Sequence, residues 1–119
     1  MLRNTVVKKT RDYLGKQVKV IIDRPIGSLH PKFPHIKYEV NYGFIPGTIS
    51  GDGEALDAYV LGETKELQIF EGTCIAIIRR EEGNDDKLIV SRNGTDFSDR
   101  EIEASTYFQE RYFTSKIIR

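Results

Sequence analysis

Short alternating apolar runs, cut by glycine-rich or acidic turns, constrain this chain more than any other feature. Between Lys16 and Asp23, Val18, Val20 and Ile22 alternate with Lys19 and Ile21, the period-two pattern of a strand buried on at least one face. Arg24-Pro25 ends that run. The stretch from Ile26 to His35 contains Gly27, Pro31 and Pro34 and cannot donate every backbone N–H to a ladder, so it reads as an exposed loop. Ile36, Tyr38, Val40 and Tyr42 then alternate with Lys37, Glu39 and Asn41, predicting a second strand that Gly43 to Gly47 interrupts. Asp57 to Leu61, Gly72 to Ile78 and Lys87 to Val90 are further short β-branched or aromatic runs. A chain of 119 residues buries one core and not two. With no repeat, low-complexity tract or composition break, residues 1–119 read as a single domain with residues 1–15 as an N-terminal extension.

One helix is legible from its start signal. Ser98 and Glu101 form a capping box, and Phe97 and Ile102 are spaced as a hydrophobic staple. Ala104, Phe108 and Tyr112 follow at i, i+4 spacing, which predicts an apolar stripe ending near Phe113, with Glu103, Glu110 and Arg111 in solvent. A shorter helix over Thr5 to Tyr13, closed by Gly15, is a further expectation, although Val6, Val7 and Thr10 are poor helix formers. The fold class expected is mainly β (α+β): a small closed or partly open antiparallel β-barrel, OB-like, with a C-terminal helix packed on it.

Charge and cysteine content remove several functions. Eighteen basic side chains balance eighteen acidic ones, so there is no global pull toward nucleic acid or an anionic membrane. The single Cys74 builds no intramolecular disulfide. No apolar h-region opens the chain and no run approaches the ~18 residues of a membrane span, so a cytoplasmic protein with neither membrane nor nucleic-acid partner is expected.

The densest polar cluster is Ser50-Gly51-Asp52-Gly53-Glu54-Ala55-Leu56-Asp57, whose crowded carboxylates suit either a solvated turn or a hard divalent cation such as Mg²⁺. A calcium-binding EF-hand loop fails on Leu56 and Asp57, and a dinucleotide-binding fingerprint fails for want of its third glycine. A second acidic group, Glu81-Glu82-Gly83-Asn84-Asp85-Asp86-Lys87, lies between two predicted strands. If those strands neighbour the first cluster, five or more carboxylates converge beside Lys87, more like charge than a turn needs. Tyr38 and Tyr42 share strand parity and can present phenols beside Asp52, and Arg24, Lys32, Lys37 and Lys87 are available cations for an anion. His30, His35 and Cys74 make a weak case for zinc and it is set aside. No nucleophile elbow or phosphate-binding loop is present, and Asn93-Gly94-Thr95 reads as a turn.

These residues resemble a known family. Tyr38-x-x-Asn41-Tyr42-Gly43-Phe44-Ile45-Pro46-x-Thr48 followed by Asp52-Gly53-Glu54-Ala55-Leu56-Asp57 is similar to the signature of the soluble family I inorganic pyrophosphatases, Y-P-x-N-Y-G followed by D-G-D-P-x-D. Asp85-x-Lys87-Leu88-Ile89-Val90 is similar to the family's D-x-K before an apolar strand. More faintly, Val20-Ile21-Ile22-Asp23-x-Pro25-x-Gly27-Ser28 resembles its first strand, and Glu110-Arg111-Tyr112-Phe113 resembles its C-terminal E-H-Y-K. The resemblance implies a β-barrel that hydrolyses pyrophosphate with several Mg²⁺ ions, Mn²⁺ substituting, and a homo-oligomer. It implies Asp52, Asp57 and Asp85 as metal ligands, with Asp23 and Glu81 or Glu82 in further acidic ligand positions. Glu54, Tyr42 and Lys87 take catalytic roles, and Lys32, Tyr38, Lys87 and Tyr112 bind substrate phosphates. The chain departs from the pattern at four places: Glu54 stands for Asp, Ala55 for Pro, Arg80 for Asp and Phe113 for Lys. The hairpin after the first strand is also shortened into the loop from Ile26 to His35.

Overall fold

A computed structural model describes residues 9–50, 53–81 and 85–119. Strands β1 (Gln17–Arg24), β2 (Asn41–Ile45), β3 (Leu56–Leu61), β4 (Ile69–Arg80) and β5 (Asp86–Ser91) form a sheet in the order β1-β2-β3-β5-β4. The pairing of β1 with β4 closes that sheet into a five-stranded barrel. Helix α1 (Asp99–Glu110) packs outside it, and β6 (Ser115–Ile118) adds to the edge of β4. The expected barrel with a C-terminal helix is what forms. Its strands are mixed rather than all antiparallel, because β5 enters between β3 and β4 and so runs parallel to β3.

Alternation decides which side chains point inward. Val18, Val20 and Ile22 of β1, Ala58 and Val60 of β3, and Leu88 and Val90 of β5 fill the barrel interior. The opposite parity places Tyr42, Tyr59, Leu61, Ile78 and Ile89 outside, in a second cluster with Ile102 of α1. At roughly 1.5–3 kcal/mol for each fully buried large aliphatic, both clusters contribute to stability.

Three local expectations are corrected. The strand expected over Ile36 to Tyr42 lies later, at Asn41–Ile45, and Gly43 sits inside it. A Cβ there would lie 1.8 Å from the Ile21 carbonyl oxygen, so glycine is what lets β1 and β2 approach. Before that strand, Leu29 and Lys37 form only an isolated bridge. Helix α1 begins as expected, with Ser98 accepting from the Glu101 N–H and Glu101 reaching back to the Ser98 N–H. Its packed face, however, is Ile102, Thr106, Gln109 and Glu110, while Ala104 is exposed and Glu110 is buried rather than in solvent. A carboxylate takes that place because a buried arginine meets it there. Of the expected N-terminal helix, Thr10–Tyr13 forms one 3₁₀ turn; Thr5 to Lys8 lie outside the described residues.

Candidate functional site

Three neighbouring strands bring the central residues together. In the parallel β3–β5 pair Asp57 lies directly opposite Lys87, so their side chains leave the same, outer face of the sheet. Lys87 Nζ donates to Asp57 Oδ2 at 2.6 Å and to Asp85 Oδ1 at 2.8 Å, and its side chain is only 4% exposed. Tyr42 of β2 donates its hydroxyl to the same Asp57 Oδ2 at 2.9 Å. Burial, with the Asp57 charge adding to it, holds that phenol well above its ordinary pKa, so Tyr42 stays a proton donor. The Asp57 and Asp85 side chains keep about a third of their surface exposed, 32% and 34%.

Asp23 approaches from β1. It is the extra residue at a β-bulge between Ile22 and Arg24 and is exposed. Partial burial raises its pKa; Arg24 opposes the shift and the nearby Asp57 charge adds to it. Arg24 donates to the Tyr38 hydroxyl and lies over two rings, 5.6 Å from the Tyr38 centroid and 5.5 Å from that of Tyr42.

A second ionic layer lies beside the first. Arg80, at the end of β4, donates through Nε and Nη2 to both oxygens of Glu110 at 3.0 and 2.6 Å, and through Nη1 to Asp85 Oδ2 at 2.7 Å. Its guanidinium carbon lies 3.6 Å from the Phe113 ring centroid. Burial works against the Arg80 charge, yet the Glu110 hydrogen bonds and the charges of Glu110 and Asp85 leave its pKa raised. Tyr59 donates to Glu110 at 2.6 Å and accepts from Gln109 at 2.7 Å, while Gln109 also accepts from Tyr38. Among the described residues no buried side-chain nitrogen or oxygen lacks a partner. Two departures from the family pattern, Arg80 and Phe113, are therefore in direct contact.

A cavity of about 510 Å³ opens over this layer, with Asp57, Lys87, Arg80 and Arg24 among its lining residues. Tyr112 lines it as well. Other sequence-derived candidates do not line the cavity. Tyr38 is buried with its hydroxyl held by Arg24 and Gln109, and Lys32 is exposed on the loop away from the cavity lining. Glu54 is exposed on the turn before β3, and Glu81 is exposed with its N–H donated to the Thr114 carbonyl. Asp52 and Glu82 lie outside the described residues. Asp86 pairs with Arg79 at 3.0 Å, so the second acidic group divides, Asp85 going to the site and Asp86 away from it. Arg80, Gln109, Tyr59 and Glu110 escape sequence reasoning as a network; the available signal was that an arginine in an apolar strand needs a carboxylate partner.

The donor set suits a hard cation in part. Among the described residues no three acidic, histidine or cysteine side chains form a ready metal cluster. Asp57 and Asp85 are half-open carboxylates, and Mg²⁺ is commonly held by one or two carboxylates with water and substrate phosphate completing its shell. No helix of the described residues is long and apolar enough to cross a membrane.

Comparison with known proteins gives concordant findings. Residues 50% of this chain in extent match an inorganic pyrophosphatase of Saccharolobus solfataricus at 47% identity over 64 residues, covering 37% of that protein. One from Gluconobacter oxydans is 34% identical over 82 residues, covering 63% of this chain and 47% of its own length. These alignments span less than half of the curated relatives. The fold is similar to the inorganic pyrophosphatase structure from Coxiella burnetii, with a TM-score of 0.63 at 22% identity over 87% of this chain and 84% of that one. The structure from Ehrlichia chaffeensis gives 0.66 at 17% identity, over 87% and 85%. The inorganic pyrophosphatase family model matches residues 10–115, nearly the whole chain, and the chain belongs to that family.

Proposed function

We propose that this chain hydrolyses inorganic pyrophosphate to two phosphates with Mg²⁺ as cofactor, Mn²⁺ substituting, in the cytoplasm and as a homo-oligomer. The observation that carries the reading is Lys87 held between Asp57 and Asp85 beneath an open cavity, with the Tyr42 phenol on Asp57. Asp57, Asp85 and Asp23 are the carboxylates that would hold Mg²⁺, joined by Asp52 and by Glu81 or Glu82 on the resemblance alone. When bound, the ion supplies a water of lowered pKa and neutralises substrate charge. The chain's own groups do the rest. Lys87 and Arg24 offer charge to phosphate oxygens, Tyr42 donates a proton-bearing oxygen at a fixed place, and Tyr112 closes one side. Glu54 stands where the family pattern carries the acid associated with the base, one methylene longer than Asp.

A second reading is favoured by one observation: Arg80, buried, shares its single positive charge between Glu110 and Asp85. A chain that has replaced an acidic position by this cation can bind a phosphorylated ligand without turning it over. Phosphate release from pyrophosphate across a Mg²⁺ titration separates the two. Metal-dependent turnover that falls at least ~10²-fold in Asp57→Asn supports hydrolysis, with Glu54→Asp reporting how the added methylene tunes rate. Absent turnover in Mg²⁺ and Mn²⁺, with calorimetric pyrophosphate binding retained, sustains the binding reading instead.

A further inference from the structure

The cavity over Asp57 has two unlike walls, and pyrophosphate uses only one. Its floor is ionic: Arg24, Arg80, Lys87 and Asp57. Its rim is aromatic, built by the loop between β1 and β2 and by the segment after α1. Phe33 and Tyr112 are each 52% exposed there and Phe113 is 41% exposed. The loop presents its rings in a fixed way. His30 Nδ1 accepts the backbone N–H groups of Lys32 at 3.0 Å and Phe33 at 3.2 Å, and the His30 and Phe33 rings lie 5.1 Å apart. His35 meets Tyr112 edge-on at 6.2 Å, joining the loop to the segment after α1.

Large exposed aromatic faces clustered at the mouth of a charged pocket call for an occupant. Pyrophosphate has no carbon and nothing to place against them, whereas a cavity of about 510 Å³ falls within the roughly 300–1,000 Å³ of pockets that enclose whole organic ligands. The rim is aromatic, its rings set at steep angles, 68° between Phe33 and His35 and 87° between His35 and Tyr112, so a planar group can lie face-on against one and meet the edge of the next; Ile36 is the lone aliphatic lining residue among those described. Such a surface suits a planar ring stacked on it rather than a flexible alkyl chain.

We infer that the site takes a nucleoside polyphosphate, its phosphates on the floor at Lys87 and Arg24 and its base against Phe33, His35 and Tyr112. The inference rests on the proposed reading that the floor binds phosphoanhydride oxygens, and it adds the organic part of the substrate.

The test compares two uncleavable ligands by calorimetry in Mg²⁺ buffer: α,β-methylene-ADP and ribose 5-methylenediphosphonate, the same molecule without its base. The base is expected to tighten binding about 10- to 100-fold. In Phe33→Ala/His35→Ala, two exposed loop positions, that advantage should fall below about threefold. Equal affinities in the wild type overturn the inference, and an undiminished advantage in the double variant overturns the aromatic rim as its source. Phosphate release from pyrophosphate, run on the same preparation, keeps the two readings apart. Turnover without base preference sinks only this inference, whereas base preference without turnover sinks only the hydrolytic reading.

Discussion

The two faces of the same strands hold together by different physics. Inside the barrel, Val20, Ala58, Val60, Leu88 and Val90 are fully buried aliphatics with no polar atom to satisfy. Outside, beneath α1, Tyr38, Tyr42 and Tyr59 are just as buried, but every hydroxyl is committed: to Gln109, to Asp57 and to Glu110. The interior needs only volume, so similar side chains can replace one another there. The outer face needs particular donors at particular distances, and it is the face that leads to the cavity. Chemistry therefore sits where packing is directional.

The largest effect expected is at the join of the outer layer. Arg80→Leu strands Glu110, 8% exposed, without its counter-ion and should cost about 3–5 kcal/mol in denaturant unfolding. Arg80→Leu/Glu110→Met should recover a good part of it, since an apolar pair of similar volume tolerates burial. A single variant losing less than about 1 kcal/mol would show that the two faces do not differ as described. Next comes Leu88→Ala in the interior, expected to cost about 2–5 kcal/mol through lost transfer and cavity terms. A second interior substitution that refills the cavity should rescue it, as no partner identity is involved. The smallest effect is in alkali. Burial raises the Tyr42 and Tyr59 phenols above the ordinary ~10, with Asp57 and Glu110 charges adding. Their contribution is thus fully present below the unfolded pKa and is lost as pH rises through the folded one. Tyrosinate absorbance should show these two phenols ionising only together with loss of near-ultraviolet circular dichroism; early ionisation with an intact spectrum would contradict the packing.

Legibility in the sequence followed the same division. The interior strands announce themselves by alternation, as β1 and β5 do, and α1 by the Ser98 and Glu101 cap, because both signals are local. The aromatic and carboxylate motif around Tyr42, Asp57 and Lys87 was also visible, since its spacing is that of three adjacent strands. What stayed hidden was partner choice across the chain. Glu110 reads as a solvated helix residue until Arg80, thirty positions earlier, is folded against it. Tyr38 reads as a phosphate ligand by parity, yet parity says nothing of Gln109, which takes its hydroxyl. Strand β2 was misplaced because Gly43 looks like a break in a single strand and is required only by the nearness of Ile21 in another.

The parallel pairing of β3 with β5 carries a consequence for how the molecule comes into being. One edge of β5 can zip onto β4 as an antiparallel neighbour, but its other edge must meet β3 in parallel, thirty positions earlier, and only that step sets Lys87 against Asp57. Until residues 86–91 have left the ribosome and docked, Asp57 has no cation, Asp85 has no strand behind it, and the barrel remains an open curl with a free edge. The charged centre and the closed barrel are thus completed by one event, the docking of β5 against β3.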